Sequence, residues 1–257
     1  MMIHGFYPDH RLMAGCMEPI FNKTPGWKRI YFDLPGMGKT KGEPWINNSD
    51  KVLDVVSAFV ERIISDQHFL VVGESYGGYL ARGLVFKQQK SIDGLMLICP
   101  VIEPEPERRT LPPPRVIVED RRLLSELSPA DAKEFAPMAV VQNRSNWERF
   151  RDEILVGLRT ADVTYLERLR QKGFDLSFDV DSLAEAYDKP TLIVTGRQDA
   201  SVGFDDAWHI INNYSRATFA VLDAAGHNAQ IEQAEIFSGL VSEWLNRVQL
   251  EKELHIV

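Results

Sequence analysis

Val71-Val72-Gly73-Glu74-Ser75-Tyr76-Gly77-Gly78 is the stretch whose reading decides the fold. The apolar run at 69–72 predicts a buried strand, and the pattern at 76–90 predicts a helix that follows it directly. Between them stands a G-x-S-x-G pattern. On its own it arises by chance; a strand before it and a helix after it supply the context the motif needs. A serine on a sharp strand-to-helix turn requires small residues on both sides, because strand and helix pass close together there. Gly73 and Gly77 meet that requirement. Such a turn holds the hydroxyl out at the strand's C-terminal end, beside a helix N-terminus that favours developing negative charge. The competing reading is a glycine-rich turn whose serine only caps the helix.

Working outward, further short apolar runs lie at 1–3, 29–32, 94–99, 191–195 and 218–222. Helical patterns lie between and after them at 50–65, 205–214 and 232–248. This alternation predicts an α/β protein with a mostly parallel sheet covered by helices. Near-continuous apolar runs predict strands buried on both faces. The helix at 50–65 shows a clear 3.6-residue apolar face, with Ser49 or Asp50 available as N-cap. Residues 102–188 break the alternation. Proline-rich segments at 103–107 and 111–114 open the stretch, and helical patterns follow at 118–127, 129–135, 146–160, 163–172 and 181–186. The expected organisation is therefore a core of 1–101 and 189–257 interrupted by a helical insertion at 102–188.

Composition narrows the function. The 257 residues carry 29 basic and 37 acidic side chains, a net charge of −8. That balance argues against general affinity for nucleic acid or anionic membrane. Two cysteines, Cys16 and Cys99, are too few for a disulfide framework, and neither has zinc-ligand spacing. No signal-peptide pattern and no apolar run of about 18 residues is visible, so the expected location is the cytoplasm and the expected partner a small molecule.

A serine hydroxyl is a poor nucleophile without a base. Of six histidines, His227 has the right setting, in Asp223-Ala224-Ala225-Gly226-His227, just after the last strand. His4 reads as structural, and His10, His68, His209 and His255 as surface or partly buried groups. The base needs a carboxylate to orient it. Asp199, in the loop after 191–195, can approach the imidazole from its far side; Asp223, four residues before His227, is the rival. An oxyanion needs two donors. The backbone N–H of Tyr76 is one, and the N–H of Phe6, after the turn-forming Gly5, is the other candidate.

The motifs together resemble the α/β-hydrolase superfamily, in particular its serine hydrolases with a helical cap. The matching segments are His4-Gly5-Phe6, Asp33-Leu34-Pro35-Gly36-Met37-Gly38, the Ser75 turn, Gly196-Arg197-Gln198-Asp199 and Gly226-His227, in the family's order. The resemblance implies a Ser75, Asp199, His227 triad in that chain order, a cap formed by the insertion, and neither a metal nor an organic cofactor. The chain departs from the family in one respect: its members usually carry two further strands before the segment matching His4, so either the sequence is truncated relative to the full protein or the sheet is reduced, and residues 29–32 are expected at an edge. The implied reaction is two-step acyl transfer on a small carboxylic ester. Carbon–carbon hydrolysis, thioester hydrolysis and amide or peptide hydrolysis use the same residues. A non-catalytic binding protein on the same scaffold is the reading from another class.

Two decoys are set aside. Gly36-Met37-Gly38-Lys39-Thr40 ends like a phosphate-binding loop, but Asp33 stands where that pattern needs its first glycine. The acidic residues at 103–107 alternate with prolines and lack a histidine partner, as a solvated linker would.

Overall fold

A computed structural model describes residues 1–254 of the chain. His255 lies outside them.

Among the described residues, five parallel strands form one sheet, ordered as they occur in the chain. They are β1 (Met2–Ile3), β2 (Phe69–Glu74), β3 (Ile92–Ile98), β4 (Thr191–Gly196) and β5 (Ala217–Leu222). Parallel neighbours require crossovers, and helices fill them. α1 (His10–Phe21) and α2 (Ser49–Ile63) join β1 to β2, and α3 (Tyr76–Gln88) joins β2 to β3. This is the expected α/β architecture. Every residue of β2 and β4 is buried, as the apolar runs require. β5 departs from that expectation. It is the last strand of the sheet, and five of its six residues are only partly buried.

Residues 29–32 do not form the expected strand. Tyr31 makes one isolated parallel bridge to Met2, whose N–H donates to Ile30 O at 2.9 Å. β1 is only two residues long, so it has no more ladder to offer. A sheet edge this short offers little template for pairing with another chain.

α1 was not among the expected helices. Its buried residues, Leu12, Met13, Cys16, Met17, Ile20 and Phe21, follow a helical period, and the Asp9 carboxylate caps it by accepting from Arg11 N at 2.9 Å. Gly15 in its middle leaves room for the Glu153 side chain from residues 102–188, which would lie 2.3 Å from a Cβ there. The N-cap of α2 is Asn48, which accepts from Lys51 N at 2.9 Å, and not Ser49 or Asp50. Those two residues bind the insertion instead. Ser49 Oγ donates to Phe174 O at 2.7 Å, and the Asp50 carboxylate accepts from Ser177 N and Oγ at 3.0 Å.

Between β3 and β4 the chain forms α4 (Arg121–Glu126), α5 (Pro129–Phe135), α6 (Arg144–Phe150), a π-helical turn (Arg151–Leu155) continuing into α7 (Val156–Thr160), and α8 (Val163–Gly173). Among the described residues this segment has no strand, only a bridge between Val118 and Val141. That bridge delays α4, which begins at Arg121. Residues 181–186 are not helical. Asp181 turns back to pair with the guanidinium of buried Arg82. After β4, α9 (Asp205–His209) gives way to a 3₁₀ turn (Ile211–Asn213). After β5, a short α10 (Ala229–Glu232) precedes the helix expected at 232–248, which forms as α11 (Ala234–Leu254) just past Gln233. No described helix is long and apolar enough to cross a membrane.

The decoy loop is a turn closed on Asp33. Its carboxylate accepts from Lys39 N and His10 N, both at 2.9 Å, and Gly36 and Gly38 take φ of +81° and +53°.

Candidate active site

Ser75 sits at φ +52°, ψ −116°, a region that costs a non-glycine residue strain and persists only where surroundings enforce it. Here they do. Ser75 N donates to Ile98 O at 2.9 Å, and Ser75 O accepts from the amides of Gly78, Tyr79 and Val101. The flanking glycines are as tight as the turn demands. A Cβ on Gly73 would lie 2.3 Å from Gly77 O, and one on Gly77 would lie 2.2 Å from Ile3 O. Both obstacles are backbone. Gly77→Ala is therefore expected to cost on the order of 3 kcal/mol, by forcing α3 away from β1. A chain of this size should show it as a melting temperature lowered by roughly 6–12 °C. An unchanged melting curve would contradict the close strand–helix passage.

His227 follows β5, and its Nε2 lies 3.0 Å from Ser75 Oγ. Its Nδ1 lies 2.9 Å from Asp199 Oδ2. Asp199 is fully buried, and its other oxygen accepts from Ser201 N at 2.8 Å and Val202 N at 3.1 Å. One carboxylate oxygen is thus fixed by its own loop while the other faces the imidazole. This arrangement selects the tautomer with hydrogen on Nδ1 and a lone pair on Nε2. Burial lowers the basicity of His227, but the charge and hydrogen bond of Asp199 and the charge of Glu74 outweigh it and hold the imidazole above the ordinary histidine value. Asp223 is exposed and turned aside, accepting from Gln198 Nε2 at 2.9 Å.

The loop after β1 runs beside the serine: a Cβ on Gly5 would lie 3.2 Å from Ser75 Cβ. This brings Phe6 to the site. Its ring meets Tyr76 edge-on at 5.3 Å, and Phe174 of the insertion contacts both rings, stacked on Tyr76 at 4.8 Å. The N–H of Tyr76 is the first of α3, where no intrahelical acceptor exists. His4 is structural, as expected. Its Nδ1 donates to Gly5 O at 2.8 Å, its Nε2 accepts from Leu34 N at 2.9 Å, and burial holds it neutral, down to about 4.

A cleft of about 230 Å³ opens onto His227, lined by Gly226, Ser201, Met138, Ala139 and Arg115 among others. A larger groove of about 560 Å³ runs along Arg82 and Asp181 and includes none of Ser75, His227 or Asp199. Asp9, His10 and Asp33 bring metal-ligand atoms within 4.8 Å of one another. Each carboxylate there is already engaged, Asp9 as the cap of α1 and Asp33 by the loop amides and His10 Nδ1.

Residues 1–234 match the family described as serine aminopeptidase, S33. The chain belongs to that family. It is a hydrolase of the α/β-hydrolase fold. It is similar to the 2-hydroxymuconate semialdehyde hydrolase of Pseudomonas putida, at 26% identity over 220 residues, 84% of this chain and 73% of that protein. It is also similar to monoacylglycerol lipase abhd6-A of Xenopus laevis, at 26% identity over 262 residues, 97% of this chain and 75% of the other. Among solved structures, an alpha/beta superfamily hydrolase from Oenococcus oeni PSU-1 superposes with a TM-score of 0.88 at 28% identity, covering 96% of this chain and 91% of that one.

Two acids of this hydrolase carry no sequence motif that marks them. Glu232, at the end of α10, accepts from Gly226 N and Val140 N at 2.6 Å and from Val141 N at 2.9 Å. It ties the residue before His227 to the insertion. Arg149 of α6 adds a second tie, donating to Gln230 O at 3.0 Å. The other acid is Glu74, buried beside the serine. A carboxylate inside an otherwise apolar strand was the available signal for it.

Proposed function

We propose that this hydrolase is a serine esterase acting on small carboxylic esters through Ser75, His227 and Asp199. The single observation carrying the reading is the unbroken run of hydrogen bonds, 3.0 Å from Ser75 Oγ to His227 Nε2 and 2.9 Å from Nδ1 to Asp199. His227 takes the Ser75 proton as Oγ bonds to the ester carbonyl carbon. The backbone N–H groups of Phe6 and Tyr76 hold the oxyanion. His227 then gives its proton to the departing alcohol, leaving an acyl-enzyme. Water, deprotonated by the same imidazole, releases the acid and restores Ser75. Asp199 keeps the imidazole in the tautomer that can accept.

The insertion at 102–188 acts as the cap, a role supported by Phe174 seated on Tyr76 and Phe6. The cleft on the His227 side takes one end of the substrate. Its volume of about 230 Å³ falls below the roughly 300–1,000 Å³ of sites for drug-sized ligands, which favours short substrates. Two buried free cysteines fit a reducing compartment such as the cytoplasm.

Rates on p-nitrophenyl esters of graded acyl length test the reading, together with a fluorophosphonate probe. Labelling at Ser75 and a kcat/KM maximum at short chains are expected. Folded protein that is neither labelled nor active on any activated ester would favour a binding role. Carbon–carbon hydrolysis is a second reading, favoured by the likeness to the P. putida enzyme named for 2-hydroxymuconate semialdehyde. It predicts turnover of that compound well above turnover of any simple ester.

A further inference from the structure

One buried titratable group at the site has no task in the acyl transfer assigned to Ser75, His227 and Asp199. Glu74 stands between Gly73 and Ser75 at the end of β2 and is 3% exposed. Its Oε1 lies 3.5 Å from His227 Nε2, the nitrogen that Ser75 Oγ approaches to 3.0 Å. Its Oε2 occupies the space over Gly5, where a Cβ would come within 2.2 Å, and the Gly5 amide donates to the carboxylate. Asp199 serves one edge of the imidazole, and Glu74 faces the other.

We propose that Glu74 is a second carboxylate of the catalytic machinery, stabilising the His227 imidazolium formed during attack by Ser75 and setting the pH at which that histidine becomes a base. The proposal rests on the assignment of Ser75, His227 and Asp199. Before attack, Nε2 holds a lone pair that accepts the Ser75 hydroxyl, and Glu74 contributes only its field. As Oγ bonds to the carbonyl carbon, the proton moves to Nε2. The new N–H then faces both the leaving-group oxygen and Glu74 Oε1. Glu74 takes no proton; the proton passes from Nε2 to the leaving group. A separation of 3.5 Å suits this role. It is too long for a good hydrogen bond, so the imidazole is not drawn off Ser75, yet Coulomb attraction across a water-poor site persists at that range.

The groups around Glu74 define its titration. His227 faces it from the loop after β5, Asp199 from the loop after β4, and the Gly5 amide from the loop after β1. Burial and the Glu74 charge both raise the thiols of Cys99 after β3 and Cys16 of α1, so these stay neutral and add no charge of their own. Arg109, from the linker before α4, acts on His227 in the opposite sense. Burial pushes the Glu74 carboxyl up, to about 7, against the pull of His227. Proton uptake at low pH therefore belongs to the Glu74–His227 pair. A proton on His227 removes the base, whereas a proton on Glu74 slows the reaction by removing the stabilising charge.

Glu74→Gln keeps the shape and the acceptor for Gly5 but deletes the charge. On p-nitrophenyl acetate, the acid limb of its kcat/KM profile should move to lower pH by about one unit or more. Plateau kcat should fall by up to about tenfold, because one unit of basicity is tenfold in the imidazolium equilibrium, while KM stays near that of the parent. Glu74→Asp withdraws the charge by one methylene and should give an intermediate limb; it carries the test if the glutamine variant does not fold. A folded Glu74→Gln, or failing that Glu74→Asp, with an unmoved acid limb overturns the proposal and leaves Glu74 as packing for Gly5. Ser75→Ala and His227→Ala in the same series separate the two readings. Activity surviving in them would sink the triad assignment itself, whereas loss in them with an unmoved limb in the Glu74 variants sinks only the role of Glu74.

Discussion

Ser75→Ala should abolish ester hydrolysis and leave the fold standing. The expected loss in kcat is roughly 10⁴-fold or more, since removing the nucleophile of a serine hydrolase leaves only what binding and the oxyanion donors supply. Covalent labelling by a fluorophosphonate should vanish with it. Stability should change little. The backbone at position 75 is held at φ +52° by bonds from its own N–H and C=O, and none of these involves the hydroxyl. Alanine is no more strained there than serine, and the hydroxyl gives up a single hydrogen bond, the one of 3.0 Å to His227. A melting temperature close to that of the parent, beside absent turnover, identifies the hydroxyl as chemical in role. Undiminished turnover would place the chemistry elsewhere in the molecule.

The Ser75 turn was readable because everything that defines it is local. An apolar run, two glycines and a helix start occupy one short segment, and no distant residue is needed to interpret them. The same holds for the central strands, whose burial on both faces leaves a continuous apolar signature. Legibility failed where tertiary contacts compete with local preference. Ser49 and Asp50 are good capping residues, yet both bind the insertion at Phe174 and Ser177, and Asn48 caps α2 in their place. α1 has a helical apolar period, but Gly15 and Pro19 interrupt it, and Gly15 makes sense only with Glu153 packed against it. Residues 29–32 have the composition of a strand and lack a partner long enough to pair with. Glu74 and Glu232 carry no motif of their own. Their significance comes from His227, Gly5, Gly226 and Val140 converging on them from other parts of the chain.

Asp199 and its rival Asp223 should separate by orders of magnitude. Asp199→Asn is expected to lower kcat by about 10⁴-fold, and Asp223→Asn by less than about twofold. Asp199 Oδ1 is committed to the amides of Ser201 and Val202, so asparagine would keep its carbonyl oxygen there. Its NH₂ would then point at His227 Nδ1, which must accept. The ring hydrogen would move to Nε2, and Nε2 could no longer take the proton of Ser75. The pH profile should shift as well. His227 is a base only when neutral, and Asp199 holds its basicity above the ordinary histidine value of about 6.5, so activity in the parent is lost as pH falls through a point above that. Deleting the Asp199 charge should carry the remaining activity's acid limb to lower pH. Asp223 is exposed and bonded to Gln198, with no contact to the imidazole, so its variant should keep the parental limb. In the proposed triad serine, histidine and aspartate would act as one unit, so Asp199→Asn placed on Ser75→Ala should cost nothing further. An additive loss in that double variant would mean that Asp199 contributes to turnover by some route other than His227.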